Sequence, residues 1–412
     1  MAQTTTNDSP VYCTMLDATK AFDRVEYCKL FRKLLSYELP PPVVRLLLNV
    51  YTDHVVRVTW NGIHSNVFRA TNGVKQGAIL SPILFCIYID DLLLKLNDST
   101  VGCFVGCIFV GALAYADDLV LLAPTPRGMR KLLTICEQYA AEYNIIFNGS
   151  KSKCLFIAPH KVRSIHNGPN PLFRICGNVI EYVDQWPHLG HIFSSNGDDK
   201  SDIINRRNAM CGQINNVITY FVKREPFVKL KLLTSYCYSI YGSVLWDLEH
   251  PCVESICTTW RKAIRRSLGV PPDTSSKLLS IISNLLPIMD ELARRTVMFI
   301  NRCLSSDSFT VRSIANMSCF SLRMMSPMGR NAQFCCNRYK IPLEKINAIN
   351  SNFIHNYVAS QTDDDVLALA SVLHELVDIK SNNLSLSSCE FNSYDVDTLI
   401  NCCSHFGNFA PV

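Results

Sequence analysis

Asp117 and Asp118 stand side by side between two of the most apolar runs of the chain, residues 101–116 and 119–124. Adjacent like charges repel and are costly to take out of water, so folding alone gives no reason for them there. A divalent cation does. The flanking runs read as strand, turn and strand, with the acids at the tip. A third carboxylate, Asp17, ends another apolar run, VYCTMLD. Phosphoryl transfer by in-line attack can be catalysed by two divalent ions about 3.5–4 Å apart that clamp the attacking and leaving oxygens. Such ions need hard oxygen ligands, and Mg²⁺ takes only one or two protein carboxylates. Asp17 and Asp117 could supply that pair if their strands are neighbours, with Asp118 assisting. Singly, Asp17 also reads as a strand-end cap and Tyr-Ala-Asp-Asp as a chance tetrapeptide.

A second acidic pair tests that reading. Tyr88-Ile89-Asp90-Asp91 repeats the pattern, but it lies in a stretch expected to be helical. Neighbouring side chains on a helix point roughly 100° apart, so these two cannot easily converge on one ion. They read as the polar edge of an amphipathic helix.

The elements that must position Asp17 and Asp117 follow in order. After a polar start at 1–10, residues 11–17 form a buried strand. A turn and an amphipathic helix follow, with Val25, Leu30, Leu34 and Leu35 on or near one face. Pro40–Pro42 break it and VVRLLLNVY begins another helix. Asn61-Gly62 between alternating runs predicts a hairpin. Gly73 and Gly77 mark a loop where backbone must approach something closely. Ser81-Pro82 then predicts an N-cap and first turn, with a helix over 83–96.

Residues 101–116 and 119–124 are expected to be a buried strand pair. Thr125-Pro126 starts a helix with apolar residues at Met129, Leu132, Leu133, Cys136, Ala140 and Tyr143. NIIFNGSKSKCLFIAP reads as two strands around Asn148-Gly149. This order predicts an α+β fold, a ferredoxin-like antiparallel sheet with helices on one face. Short strands and turns are expected to about residue 200. Mainly helical structure follows, with basic clusters at 223–231 and 261–266, and Gly269 ends one helix.

Bulk properties bound the rest. At 412 residues with 48% hydrophobic content, the chain has room for two or three well-cored domains. A net charge of +5 permits nucleic acid as a partner without demanding it. The 19 cysteines are scattered, and Cys86, Cys103, Cys107 and Cys154 sit in apolar runs as buried free thiols would. With no leader-like segment seen, an intracellular location (nucleus or cytoplasm) is expected, without a disulfide framework. Cys389, Cys402, Cys403 and His405 lack the spacing of a zinc knuckle. Residues 101–116 are short for a membrane span, carry three glycines and end on two aspartates, so no membrane association is expected.

Three segments, LDATKAFDRVEY, NGVKQGAILSPILF and AYADDLVLLAPT, resemble in order and spacing motifs A, B and C of reverse transcriptases, above all those of non-LTR (LINE-type) retrotransposons. FNGSKSKCLFI resembles that family's motif D and WPHLGHIFSSN its motif E. The resemblance covers residues 10–200 strongly and 200–270 more loosely. It implies a polymerase palm over 1–160, primer-grip-like strands over 161–200 and a helical thumb-like region over 201–270. A helical C-terminal region over 271–380 and a weakly structured tail over 381–412 complete the expected organisation.

The resemblance further implies RNA-directed DNA polymerase activity with two Mg²⁺ (or Mn²⁺) ions, an RNA template, a DNA primer and deoxynucleoside triphosphates. Asp17, Asp117 and Asp118 fall on the catalytic carboxylates, with Asp17 and Asp117 as metal ligands. Phe22 falls on the aromatic position under the sugar of the incoming nucleotide, where a flat ring excludes a 2′-hydroxyl. Gln76 and Gly77 match the loop approached by template and nucleotide. Lys151 matches the lysine beside the pyrophosphate leaving group, and Leu189-Gly190 the turn that contacts the primer backbone. The basic clusters would suit phosphate contacts; taken one at a time, each reads first as a solvated helix face.

The family carries a fingers region before motif A, whereas sixteen residues precede Asp17 here. The chain is therefore expected to be the palm, thumb and C-terminal portion of a longer protein. An alternative expectation is a catalytically silent retroelement remnant that binds nucleic acid.

Overall fold

The computed structural model describes residues 9–158, 170–238, 240–322 and 325–361. It divides into two compact units, residues 1–186 with 194–197, and residues 187–193 with 198–412. Cys389, Cys402, Cys403, His405 and the tail over 381–412 lie outside the described residues.

In the first unit, β1 (Val11–Leu16) is buried at all six positions, as its unbroken apolar pattern requires. It runs antiparallel to β3 (Asp118–Ala123) on one side and to β4 (Lys153–Ile157) on the other. Outside β3 lies β2 (Ala112–Tyr115), and outside β4 lies β5 (Glu181–Tyr182). The sheet order is β5-β4-β1-β3-β2, and only the β4–β5 pairing is parallel. The inner four strands have the ferredoxin-like order expected.

Four helices complete this unit, α1 (Tyr27–Ser36), α2 (Pro41–Thr52), α3 (Ser81–Asp98) and α4 (Pro126–Glu142). Tyr12, Leu16, Leu119, Leu121, Ala123 and Cys154 share one core with Leu84, Phe85, Tyr88 and Leu92 of α3 and with the buried face of α4. Met129, Leu132, Leu133, Cys136 and Ala140 of α4 all lie in it, so the helical spacing held. Burial of each leucine or methionine on this face stabilises the fold by roughly 1.5–3 kcal/mol. Thr125 caps α4, its hydroxyl accepting the Gly128 N–H at 3.1 Å.

Several expectations are corrected here. Ser81 is the first residue of α3 rather than its cap, because its hydroxyl donates to the Lys75 carbonyl (2.5 Å) and ties down the preceding loop. β2 is an exposed edge, so only β3 of the expected strand pair is buried. The strand expected before Asn148 shrinks to one bridge, Ala18 to Phe147. Asn148 instead folds a tight turn, its side-chain oxygen accepting from Ser150 N, Ser150 Oγ and Lys151 N. Leu35 points to solvent, and Cys86 and Cys107 are exposed while Cys103 and Cys154 are buried. The Asn61-Gly62 hairpin forms with both residues at positive φ, although its strands are two residues long.

The second unit is helical: α5 (Lys200–Tyr220), α6 (Pro226–Leu232), α7 (Pro251–Leu268), α8 (Ser276–Ser283), α9 (Ile288–Leu304), α10 (Phe309–Asn316), α11 (Pro327–Arg338) and α12 (Ser351–Ser360). Its core is built around Trp246 and Trp260. Gly269 ends α7 at φ +70°, as expected. Among the described residues no helix is long and apolar enough to cross a membrane.

Candidate active site

Strand register assembles the carboxylates. Leu16 pairs with Leu119 across β1 and β3, so one further step sets Asp17 opposite Asp118. Alternation does the rest. Tyr12 and Leu16 of β1, and Leu119, Leu121 and Ala123 of β3, face the helices. Asp17 and Asp118 are one residue out of phase with these sets, which places both on the opposite face of the sheet.

Asp117 sits beside them in the two-residue loop that joins β2 to β3, between the paired Tyr115 and Asp118. It is half-buried, and its pKa is raised above the ordinary carboxylate value. Burial is the main cause, the charges of Asp118 and Asp17 add to it, and its own backbone N–H partly offsets them. Asp17 and Asp117 are thus close enough to feel each other's charge.

The loop itself carries strain. Ala116 has φ +51°, a left-handed conformation that costs an L-residue about 1–2 kcal/mol.

On the other side of β1, Met15 pairs with Lys153, so continuing the register sets Lys151 opposite Asp17. The Asp17 N–H donates to Ser152 Oγ (3.2 Å), and the Asp17 carbonyl accepts from Asn148 N (2.8 Å). Lys151 is exposed at this corner. Ser152 and Asn148 therefore fix the Asp17 backbone. Sequence reasoning missed both, although the Asn-Gly-Ser turn signal was visible.

The loop at 73–77 is laced to the turn after Asp17. Val74 N donates to the Phe22 carbonyl (2.8 Å), Gly73 N to the Val25 carbonyl (2.9 Å), and Gln76 Nε2 to Asp23 Oδ1 (3.2 Å). Gly73 has φ +87°, and a Cβ there would meet Asp23 backbone at 2.9 Å. Gly73→Ala should therefore lower the denaturant midpoint by the equivalent of about 2–4 kcal/mol, combining backbone strain and overpacking. Gly77 (φ +80°) meets nothing within 4 Å, so its glycine serves backbone conformation and leaves open space beside it. Phe22, half-buried, stacks on Phe85 with ring centroids 5.0 Å apart and planes at 20°.

The second acidic pair is explained by its neighbours. Tyr37 donates its hydroxyl to Asp90, and Asp91 pairs with Lys33 Nζ at 2.9 Å. The Lys33 ammonium is buried and also donates to the Tyr88 carbonyl (2.9 Å) and to Tyr139 Oη (3.0 Å). The two acids thus diverge to separate partners, as the helical geometry implied. Lys33→Met, which keeps volume but removes these donors, should cost about 1–3 kcal/mol in chemical denaturation.

Leu189 and Gly190 belong to the second unit, in the hairpin loop between the strands Gln185–His188 and His191–Ser194. Both have positive φ, +48° and +74°. A leucine at the first position of such a loop is strained like Ala116, since Asn or Gly is the usual choice. The basic residues of α7 are partly committed within the protein. Arg261 pairs with Glu254, Arg265 Nη2 donates to the Thr274 carbonyl (2.7 Å) and Arg266 Nη1 to Asn215 Oδ1 (3.0 Å).

Among the described residues no group of three or more His, Cys, Asp or Glu side chains forms a ready-made metal cage. The donor set is one of hard oxygens at a sheet end, which suits an ion that keeps water or substrate oxygens in its shell.

Residues 2–193 match the family described as reverse transcriptase (RNA-dependent DNA polymerase). Similar proteins include Pol polyproteins of R2 retrotransposable elements and the RNA-directed DNA polymerase from mobile element jockey of Drosophila funebris. The chain is 29% identical over 268 residues to the Retrovirus-related Pol polyprotein from type-1 retrotransposable element R2 of Nasonia vitripennis, a match covering 64% of this chain and 26% of that one. It is 30% identical over 197 residues to the corresponding polyprotein of element R2DM of Drosophila melanogaster, covering 45% and 18%. It thus spans about a quarter or less of the length of these two relatives. A solved telomerase from Candida tropicalis, in complex with a TWJ fragment of telomeric RNA, is similar with TM-score 0.41 and 14% identity, covering 76% of this chain and 51% of that one. Reverse transcriptase domains generally depend on a divalent metal.

Proposed function

We propose that this chain is the catalytic portion of an RNA-directed DNA polymerase that extends a DNA primer 3′-OH on an RNA template. The observation that carries the reading is the register that sets Asp17 opposite Asp118, with Asp117 at the adjoining loop. Asp17 and Asp117 would hold Mg²⁺ or Mn²⁺, with Asp118 supporting them. The chemistry supplied at that site would be activation of the primer hydroxyl and neutralisation of charge on the phosphoryl oxygens.

The chain's own residues do the remaining work in this reading. The Phe22 ring, held flat on Phe85, lies under the deoxyribose and leaves no room for a 2′-hydroxyl. Gln76 and Gly77 offer an open backbone edge to the templating base and the nucleotide. Lys151, opposite Asp17, donates a proton to the departing pyrophosphate. Leu189-Gly190 contacts the primer backbone. Residues 1–160 correspond to a palm, 161–200 to primer-grip-like strands and 201–270 to a thumb.

The test is incorporation of labelled dTTP on poly(rA)/oligo(dT) with Mg²⁺ or Mn²⁺, comparing the full chain with Asp117→Ala. Incorporation by the wild type alone supports the reading. Equal background incorporation by both, with duplex binding retained, replaces it with a nucleic-acid-binding remnant.

A further inference from the structure

The second unit holds a polar cluster that the proposed chemistry does not use. Asp202, the third residue of α5, is fully buried. A buried carboxylate is tolerated only when its oxygens are fully engaged. Asp202 Oδ1 accepts the Ile192 N–H at 2.9 Å, and Oδ2 accepts the Trp246 indole N–H at 2.7 Å. His191 Nδ1 lies 3.1 Å from Oδ2. Burial pushes the Asp202 pKa up, but His191, the Ile192 N–H and Trp246 outweigh it and hold the carboxyl below its ordinary value.

One turn further along α5, Arg206 donates from its guanidinium to the Gly190 carbonyl. Its Nε lies 4.0 Å from Asp202 Oδ1, and its guanidinium stacks over the Tyr241 ring at 5.3 Å. Tyr241 also closes on Gly190, where a Cβ would meet its ring at 3.3 Å. The imidazole of His191 is similarly confined, since a Cβ on Gly242 would meet Nδ1 at 3.2 Å.

These contacts converge on one short stretch. Leu189 and Gly190 form the strained loop, and Arg206 grips the second residue's carbonyl. Asp202 holds the next two residues, one by its ring and one by its backbone. A leucine stays at φ +48° only where its surroundings over-determine it.

We infer that Asp202 and Arg206 are positioning residues that clamp the 189–190 loop against α5 so that it presents its backbone to the primer strand. The inference rests on the proposed polymerase reading, in which this loop contacts the primer. Neither side chain need touch nucleic acid. Arg206 is spent on an internal carbonyl, and Asp202 carries the wrong charge and is buried.

The test uses the full chain with an RNA template and a DNA primer ending in 4-thiothymidine, photocrosslinked and mapped by peptide mass spectrometry. The wild type should crosslink within residues 188–191. Arg206→Ala and Asp202→Asn should lower that yield and the extension kcat together by about tenfold or more, as expected when a reacting end is displaced. Duplex affinity should change little, because phosphate contacts elsewhere supply it. Arg206→Lys, which can still reach the carbonyl, should restore part of both.

Glu291→Gln removes a carboxylate that pairs with Arg294 and Arg295 on α9. It should lower the melting temperature while leaving the crosslink unchanged, which separates positioning from general stability. Unchanged crosslinking and kcat in both Arg206→Ala and Asp202→Asn would overturn the clamp while the polymerase reading stands. A wild-type crosslink that maps elsewhere would overturn the primer-contact reading of the loop, and the clamp with it.

Discussion

Asp117→Asn is expected to abolish nucleotide incorporation and, in metal-free buffer at neutral pH, to melt at a higher temperature than the wild type. The two effects share a cause. In the fold the Asp117 carboxylate is partly desolvated and faces the charges of Asp118 and Asp17, which raises its pKa. A raised carboxyl pKa means that the folded state favours the neutral form. Its stabilising contribution is present at pH below the ordinary carboxylate value and is lost as pH rises through the folded value.

Asparagine is neutral at every pH. Its advantage should be absent in acid, grow as pH rises through the Asp117 titration and then level off. On the proposed role of Asp117 as a metal ligand, its loss removes several kcal/mol of transition-state stabilisation, so the rate should fall by about a thousandfold or more. Melting curves between acid and neutral pH with a chelator present check the first half, and primer extension checks the second. Added Mg²⁺ should raise the wild-type melting temperature and leave that of Asp117→Asn unmoved. A variant less stable than wild type at neutral pH would show that the carboxylates do not repel as described.

The second large effect is expected at Phe22. Phe22→Val should admit ribonucleoside triphosphates and lower the preference for deoxynucleotides by about 10–100-fold in kcat/KM, the scale on which shape alone discriminates in a pocket. The ring is kept flat by stacking on Phe85, itself buried in α3. Its backbone carbonyl is fixed by Val74 N. A shorter side chain would open space without moving the turn. The stability cost should be about 1–2 kcal/mol, from loss of the aromatic pair at a half-buried position. Separate kinetics with dTTP and UTP on poly(rA)/oligo(dT), together with a melting curve, measure both effects. Unchanged discrimination would remove Phe22 from the sugar pocket.

The two acidic pairs show how much was legible beforehand. Asp90-Asp91 and Asp117-Asp118 have the same local sequence pattern, yet helical periodicity separates the first pair and strand alternation aligns the second. That distinction needs only the 3.6- and 2-residue periods, and it survives in the fold. The α4 face, the Asn61-Gly62 hairpin and the end of α7 at Gly269 were legible for the same reason. Each depends on residues adjacent in the chain.

The misreadings have the opposite character. Ser81 reads as a cap, but its hydroxyl is taken by the Lys75 carbonyl six residues away. Residues 101–116 read as buried, but β2 is the edge of the sheet, and edge position depends on which strands pair.

The sequence by itself determined the order of elements, the placement of Asp17 at a strand end and Asp117 at a hairpin tip, and the motif pattern shared with reverse transcriptases. These follow from local periodicity and turn chemistry. Only the tertiary structure decided that β1 lies between β3 and β4, which sets Asp118 on one side of Asp17 and Lys151 on the other. It alone brought Gly73 against the Asp23 backbone, and Asp202 and Arg206 against the 189–191 stretch. Such contacts join residues from ten to more than a hundred positions apart. They depend on register and packing between elements, which no local pattern encodes.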